Sequence, residues 1–172
     1  MDSARKKTLI VVWHSRTGAA RQMAMAAVEG AREAAAELQA TDRLDIVVKA
    51  AHEADTPDLL EADGLLFCAP ENLAALSGAM KEFFDRCYYG ALDRLNGRPY
   101  ALLISAGSDG SNAARQAERI CTGWRLKPVA PPHIANLRAQ TAEAILAPKT
   151  LGQQDRDACK TMGGTLAALL LL

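Results

Sequence analysis

Thr8-Leu9-Ile10-Val11-Val12-Trp13-His14-Ser15-Arg16-Thr17-Gly18-Ala19-Ala20 is the stretch on which the reading turns. Its first six residues are a continuous apolar, largely β-branched run, which suits a strand covered on both faces in a parallel sheet. The remaining seven form a short loop that opens straight into a helical pattern. Met23, Ala27, Ala31, Ala34 and Leu38 recur there at three- and four-residue spacing, with Arg21, Gln22, Glu29, Arg32, Glu33 and Glu37 mainly on other faces. The abundant alanine favours helix. A helix N-terminus offers unpaired N–H groups and a partial positive charge. Ser15 and Thr17 add hydroxyls, Arg16 adds charge, and Gly18 lets the backbone come close. These are the parts of an anion cradle. Ser15 or Thr17 acting as a plain helix cap explains the same residues, and taken alone the loop leaves both readings open. It is neither G-x-x-x-x-G-K-[ST] nor G-x-G-x-x-G, which argues against a nucleoside triphosphate or a Rossmann-bound dinucleotide.

The alternation of strand and helix continues along the chain. Residues 44–48, 64–68, 99–105 and, more weakly, 126–129 read as further strands. The last is blurred by Pro128, Pro131 and Pro132. Helices are expected over 56–62, with Thr56 as cap and Pro57 at the first position, and over 79–89, 113–122 and 155–170. Met80, Phe83, Phe84 and Cys87 form the buried stripe of one; Cys159, Met162, Leu166 and Leu169 form that of the last. Asn96-Gly97 is a turn pair leading into the fourth strand. Residues 136–152 are the least regular part, a surface loop or an interface arm. Five strands alternating with helices predict an α/β, three-layer, doubly wound parallel sheet in the order 2-1-3-4-5 with helices on both faces, as one domain over residues 1–172.

Composition narrows the function. Hydrophobic residues make up 49% of the 172 and charged residues 23%, a globular balance. Twenty basic residues offset twenty acidic ones, so a nucleic-acid partner is not expected. Nor is docking on strongly basic partners. Cys68, Cys87, Cys121 and Cys159 show no C-x-x-C spacing, so no zinc site is expected. The start of the chain, through Lys7, is polar and carries no secretory pattern. The cysteines are therefore read as reduced and the protein as cytoplasmic. The leucine-rich end, residues 166–172, is too short to span a bilayer and reads as a buried last helical turn.

In open α/β sheets ligands bind beyond the carboxyl ends of the strands, at the switch point. Three loops leave such ends: 14–20, 69–76 and 105–111, all rich in small or hydroxyl residues. Together they suit a flat ligand with an anionic tail. The first resembles the phosphate loop of the flavodoxin-like superfamily, a strand followed by S/T-x-T-G-x-T. Phe67-Cys68-Ala69-Pro70, followed by Gly78-Ala79-Met80-Lys81-Glu82-Phe83-Phe84-Asp85-Arg86, is similar to the second flavin loop and helix of the NAD(P)H-dependent FMN reductases and flavodoxin-like quinone reductases. The resemblance covers nearly the whole chain in order. It implies that Ser15, Arg16, Thr17, Gly18, Ala19 and Ala20 surround the phosphate of FMN. It implies that Pro70, Glu71, Asn72 and Leu73 border the ring and ribityl chain, and that Ser105, Ala106 and Gly107 border the ring's other edge. Ala19 and Ala20 stand where the family often has Asn and Thr. Glu71-Asn72-Leu73 stands where it commonly has an aromatic residue, and Glu71 brings a negative charge towards the cofactor.

What the resemblance implies is an FMN-containing reductase carrying electrons from NAD(P)H to a quinone or similar small acceptor, as a homodimer and without nucleic-acid or membrane partners. The cofactor does the hard chemistry in such enzymes, so no catalytic side chain and no metal ligand are expected. Two rival readings stand beside it: a flavodoxin-type electron carrier, which is usually strongly acidic, and a flavin-free binding module of the same fold. Of the remaining residues, His14 sits at a strand end near the ligand, while His52 and His133 read as surface positions. Trp13 and Cys68 belong to the sheet core, and Trp124 reads as a partly buried anchor. Tyr88 and Tyr89 read as helix-end residues that pack at an interface or reach a neighbour's site.

Overall fold

The computed structural model describes residues 5–172, so most of the polar start lies outside the described residues. The chain runs β1 (Lys7–Trp13), α1 (Ala19–Glu37), β2 (Leu44–Ala50), α2 (Thr56–Glu61), β3 (Gly64–Asn72), β4 (Ala75–Leu76) and α3 (Gly78–Ala91). It continues through β5 (Pro99–Ala106), α4 (Ser111–Gly123), β6 (Lys127–Pro128), β7 (His133–Asn136), α5 (Ala142–Leu146) and α6 (Gln153–Leu171). The sheet has the order β2-β1-β3-β5-β6, with β7 also on β5 and β4 on β3. It is the expected α/β layering with two changes. The fifth strand is split: β6 pairs with Pro99 and Tyr100, and β7 with Leu103 to Ala106, both parallel to β5. Pro131 and Pro132 fall in the gap, where a proline has no N–H to give the ladder. The second change is β4, which folds back antiparallel on the end of β3, so the expected second loop is a hairpin.

Alternate residues of the strands face opposite layers. Ile10, Val12, Leu65, Phe67, Leu102 and Ile104 meet Leu59, Met80, Phe83, Phe84 and Ala117 from α2, α3 and α4, and Trp124 just after α4. Leu9, Val11, Leu66, Cys68 and Leu103 meet Met23, Ala27, Ala31, Cys159 and Leu166 from α1 and α6. The first layer is aromatic: the Phe67 ring lies 5.1 Å from Phe84, and Trp124 stacks on Tyr88 at 5.8 Å and 17°. Trp124 is fully buried rather than partly so, because its indole N–H also reaches the Tyr88 carbonyl at 2.9 Å. Tyr88 is therefore held in this layer, while Tyr89 is exposed. Leu38 and Leu169 leave their expected stripes for solvent. Helix α2 is capped by Asp55, not Thr56, through a capping box with Asp58, which leaves Thr56 as its first residue. Among the described residues no helix is long and apolar enough to cross a membrane.

The second layer is held by close helix contact. A Cβ added at Gly163 would lie 1.9 Å from the Ala27 carbonyl oxygen, and one at Gly30 would lie 1.9 Å from that of Lys160. Backbone meets backbone, so nothing flexible can give way. Gly163→Ala is expected to lower stability in urea unfolding by about 1–3 kcal/mol despite alanine's better helix propensity. Gly164→Ala, whose Cβ would be 3.3 Å from the Gly30 oxygen, is expected to stay within about 1 kcal/mol of the parent. Equal effects would contradict this packing.

Candidate functional site

The carboxyl ends of β1, β3 and β5 converge on one edge of the sheet. The first loop turns into α1 through Gly18, at φ 102°, a left-handed conformation that other residues rarely adopt. The Ser15 hydroxyl accepts the Gly18 N–H at 3.1 Å. Ser15 thus tightens the turn, which realises part of the cap reading, and its own O–H stays available to donate. The N–H groups of Ala19, Ala20 and Arg21 find no acceptor among the described residues; the first backbone bond of the helix is Gln22 N–H to the Gly18 carbonyl, at 3.1 Å. The cradle reading needs this open first turn.

A cavity of about 530 Å³ lies beside it, within the range of small-molecule sites. Of the residues expected from sequence, Arg16, Thr17, Pro70, Glu71, Asn72, Leu73, Ser105, Ala106 and Gly107 line it. Ser15, Gly18, Ala19 and Ala20 are not in its lining, and both alanines are buried. The walls also contain Ala74, Ser108, Leu137, Ala139, Ile145, Leu146 and Lys149. Most of these come from the irregular segment 136–152, which closes one side of the cavity instead of forming a detached loop. Its proximity could not be read from local pattern, because it depends on long-range backbone bonds: Leu137 N–H to Ala106 O, Ala139 N–H to Gly107 O and Lys149 N–H to Thr17 O, each 2.8 Å. A groove of similar size between α1 and α6, lined by Glu33, Glu37, Asp157 and Lys160, faces no strand end.

The second wall is the β3–β4 hairpin. Leu73 and Ala74 at its tip have φ of 51° and 62°, the conformation of a type I′ turn, which favours Asn-Gly. Helix α4 holds this costly turn in place. Glu71 Oε2 accepts the Gly110 N–H at 2.7 Å, Asn112 donates to the Ala74 carbonyl at 2.6 Å, and Gln116 accepts the Leu76 N–H at 2.8 Å. The Glu71 carboxylate therefore lies at the N-terminus of α4, where the helix dipole favours a negative charge. Leu73 is fully exposed, and Ile145 and Leu146, which line the same cavity, are also largely exposed.

His14 Nδ1 lies 2.9 Å from the Ser77 hydroxyl, and neither residue lines the cavity. Burial, with help from nearby Arg16, holds its pKa below the ordinary value. His133 Nε2 lies 2.9 Å from Asp155, joining β7 to α6 rather than standing free at the surface. All four cysteines are buried with raised thiol pKa values, Cys159 at about 12. They serve the core as soft apolar groups. Among the described residues no group of three His, Cys, Asp or Glu side chains could hold a metal.

Two outcomes follow from this geometry. Replacing Leu73-Ala74 by Asn-Gly should raise stability by about 1 kcal/mol, read as the denaturant midpoint, because the turn loses its strain. The lowered His14 pKa makes the unfolded chain bind more protons between the folded value and 6.5. Stability should therefore be complete above that window and fall as pH drops through it. His14→Gln should flatten that part of the profile, and an unchanged slope would contradict the assignment.

Comparison with known proteins fits this picture. Residues 10–142 match the family described as NADPH-dependent FMN reductase. A flavodoxin of Aquifex aeolicus (strain VF5) is 27% identical over 164 residues, covering 92% of this chain and 84% of that protein. Among solved structures, a flavodoxin from the domain Archaea superposes with a TM-score of 0.75 at 17% identity, over 96% of this chain and 99% of its own. The WrbA-like flavodoxin of Agrobacterium tumefaciens does so with a TM-score of 0.71 at 16% identity, over 96% and 98%. The two structures share the fold with this chain, and the match over residues 10–142 goes further: the chain belongs to the NADPH-dependent FMN reductase family.

Proposed function

We propose that this protein transfers electrons from NAD(P)H to a quinone or similar small acceptor through FMN held in the cavity between the three strand-end loops. Family membership makes FMN the cofactor and the chain an FMN-binding oxidoreductase with a nicotinamide nucleotide as partner. The observation that carries the placement is the mixed lining of the cavity. Arg16 and Thr17, from the loop that opens into α1, line it together with the aliphatic side chains of Leu73, Leu137, Ile145 and Leu146. Such a cavity fits a molecule with an anionic tail and a flat apolar ring.

In this reading Ser15, Arg16, Thr17, Gly18, Ala19 and Ala20 surround the phosphate. Gly18 fixes the turn, and the unpaired N–H groups of Ala19 and Ala20 provide the anion contacts. Pro70, Glu71, Asn72 and Leu73 border the ring and ribityl chain, and Ser105, Ala106 and Gly107 border the opposite edge. FMN, when bound, supplies the hydride and electron transfer. The leucines and Ile145 exclude water from the ring, and Glu71, tied to Gly110 N–H, keeps the hairpin at a fixed distance. Nicotinamide oxidation delivers two electrons and one proton, and a second proton from solvent completes reduction of a quinone to its hydroquinone. The homodimer implied by the resemblance belongs to the same proposal and is checked by sedimentation.

The test is titration of apoprotein with FMN, followed by NAD(P)H oxidation with and without quinone. Saturable quenching of flavin fluorescence at one FMN per chain, with quinone-dependent oxidation of the nicotinamide, is the expected result. The Aquifex relative named flavodoxin keeps the carrier reading in play; FMN uptake without nicotinamide oxidation would favour that carrier. Thr17→Asp should weaken FMN binding at least tenfold by placing a like charge beside the phosphate. Unchanged affinity would count against the cradle.

A further inference from the structure

We propose that Lys149 is a second phosphate-binding cation of this site, carried to the N-terminus of α1 by the arm that follows β7. The proposal rests on the reading of the cavity given above. Three hydrogen bonds fix the backbone around Lys149 beside the first loop. Its N–H donates to the Thr17 carbonyl at 2.8 Å, and Gln22 Nε2 donates to the Lys149 carbonyl at 2.7 Å. Gln22 Oε1 then accepts the Leu151 N–H at 2.9 Å. One side chain on the second turn of α1 thus clamps a segment more than a hundred residues away in sequence onto the loop.

The lysine side chain is folded, not extended. Its Nζ donates to the carbonyls of Ile145 at 3.0 Å and Ala147 at 2.5 Å, at the end of α5. An ammonium has three donors, so one remains, and Lys149 lines the same cavity as Arg16 and Thr17. Among the described residues no ion pair includes Lys149 or Arg16. The one carboxylate in the cavity wall, Glu71, is engaged at the far loop by Gly110 N–H. Two cations without counterions beside an open helix N-terminus match a phosphate monoester, which carries close to two negative charges at neutral pH. A lysine held in place before binding also loses less side-chain entropy on contact than a free one.

The experiment compares FMN with riboflavin, which lacks the phosphate, on the full chain and on Lys149→Met and Lys149→Arg, by fluorescence titration. Lys149→Met should weaken FMN roughly tenfold to a hundredfold and leave riboflavin unchanged, and Lys149→Arg should recover most of the loss. Equal weakening of FMN and riboflavin would show that Lys149 only holds the arm, which overturns the proposal. So would unchanged FMN binding in Lys149→Met. If the parent chain binds FMN no better than riboflavin, the phosphate cradle itself fails, and Lys149 fails with it.

Discussion

β1 and β3 pair in parallel from Leu9 beside Gly64 to Trp13 beside Cys68, and the His14 N–H extends the ladder onto the Cys68 carbonyl at 3.0 Å. Everything in the site depends on this pairing. From β1 the chain reaches β2 on one side through α1, then returns past β1 to place β3 on the other. The chain leaving β1 through α1 and the chain leaving β3 through α3 run to opposite sides, which opens a crevice at the carboxyl ends of these two strands. Because His14 is bonded to the end of β3, the first loop and the β3–β4 hairpin cannot drift apart. Continuation of β3 onto β5, as far as Pro70 beside Ser105, brings in the third loop.

Rigid strands position the loops, but the loops are shaped by bonds between distant segments. Helix α4 supports the hairpin through Gly110, Asn112 and Gln116 and thereby maintains two non-glycine residues in left-handed conformations. Strain of this kind persists where the surroundings over-determine it. Gln22 does the corresponding work for the arm after β7. The outcome is a cavity whose lining combines a hydroxyl and two cations, from Thr17, Arg16 and Lys149, with the aliphatic side chains of Leu73, Leu137, Ile145 and Leu146. Glu71 changes character in this setting. From sequence it is a stray negative charge near the cofactor; in the fold its carboxylate is bound at a helix N-terminus, where its charge is partly offset.

The layering was legible in the sequence because periodicity reports burial directly. The continuous run from Thr8 to Trp13 and the three-four spacing of Met23, Ala27 and Ala31 each have one physical explanation. The first loop was legible because its chemistry is local: a strand end, a glycine and a helix start. The hairpin was not, since Leu73-Ala74 lacks the Asn-Gly signature and its turn is imposed by α4. Lys149, Ile145 and Leu146 were missed for a similar reason. Nothing in residues 136–152 repeats with a helical or strand period, and their place is set by contacts with Thr17, Gln22, Ala106 and Gly107. The broken edge strand was half legible, with Pro131 and Pro132 marking the gap but not the resumption of pairing at His133.

The central claim is that the open first turn of α1 receives the phosphate. Amide chemical shifts of the isotope-labelled protein, recorded with FMN and with riboflavin, test it most directly. The account predicts that the N–H signals of Ala19, Ala20 and Arg21 move strongly downfield with FMN and barely with riboflavin, while those of residues 71–74 respond to both. Phosphate-dependent shifts centred instead on Gly110 and Ser111, at the N-terminus of α4, would contradict it.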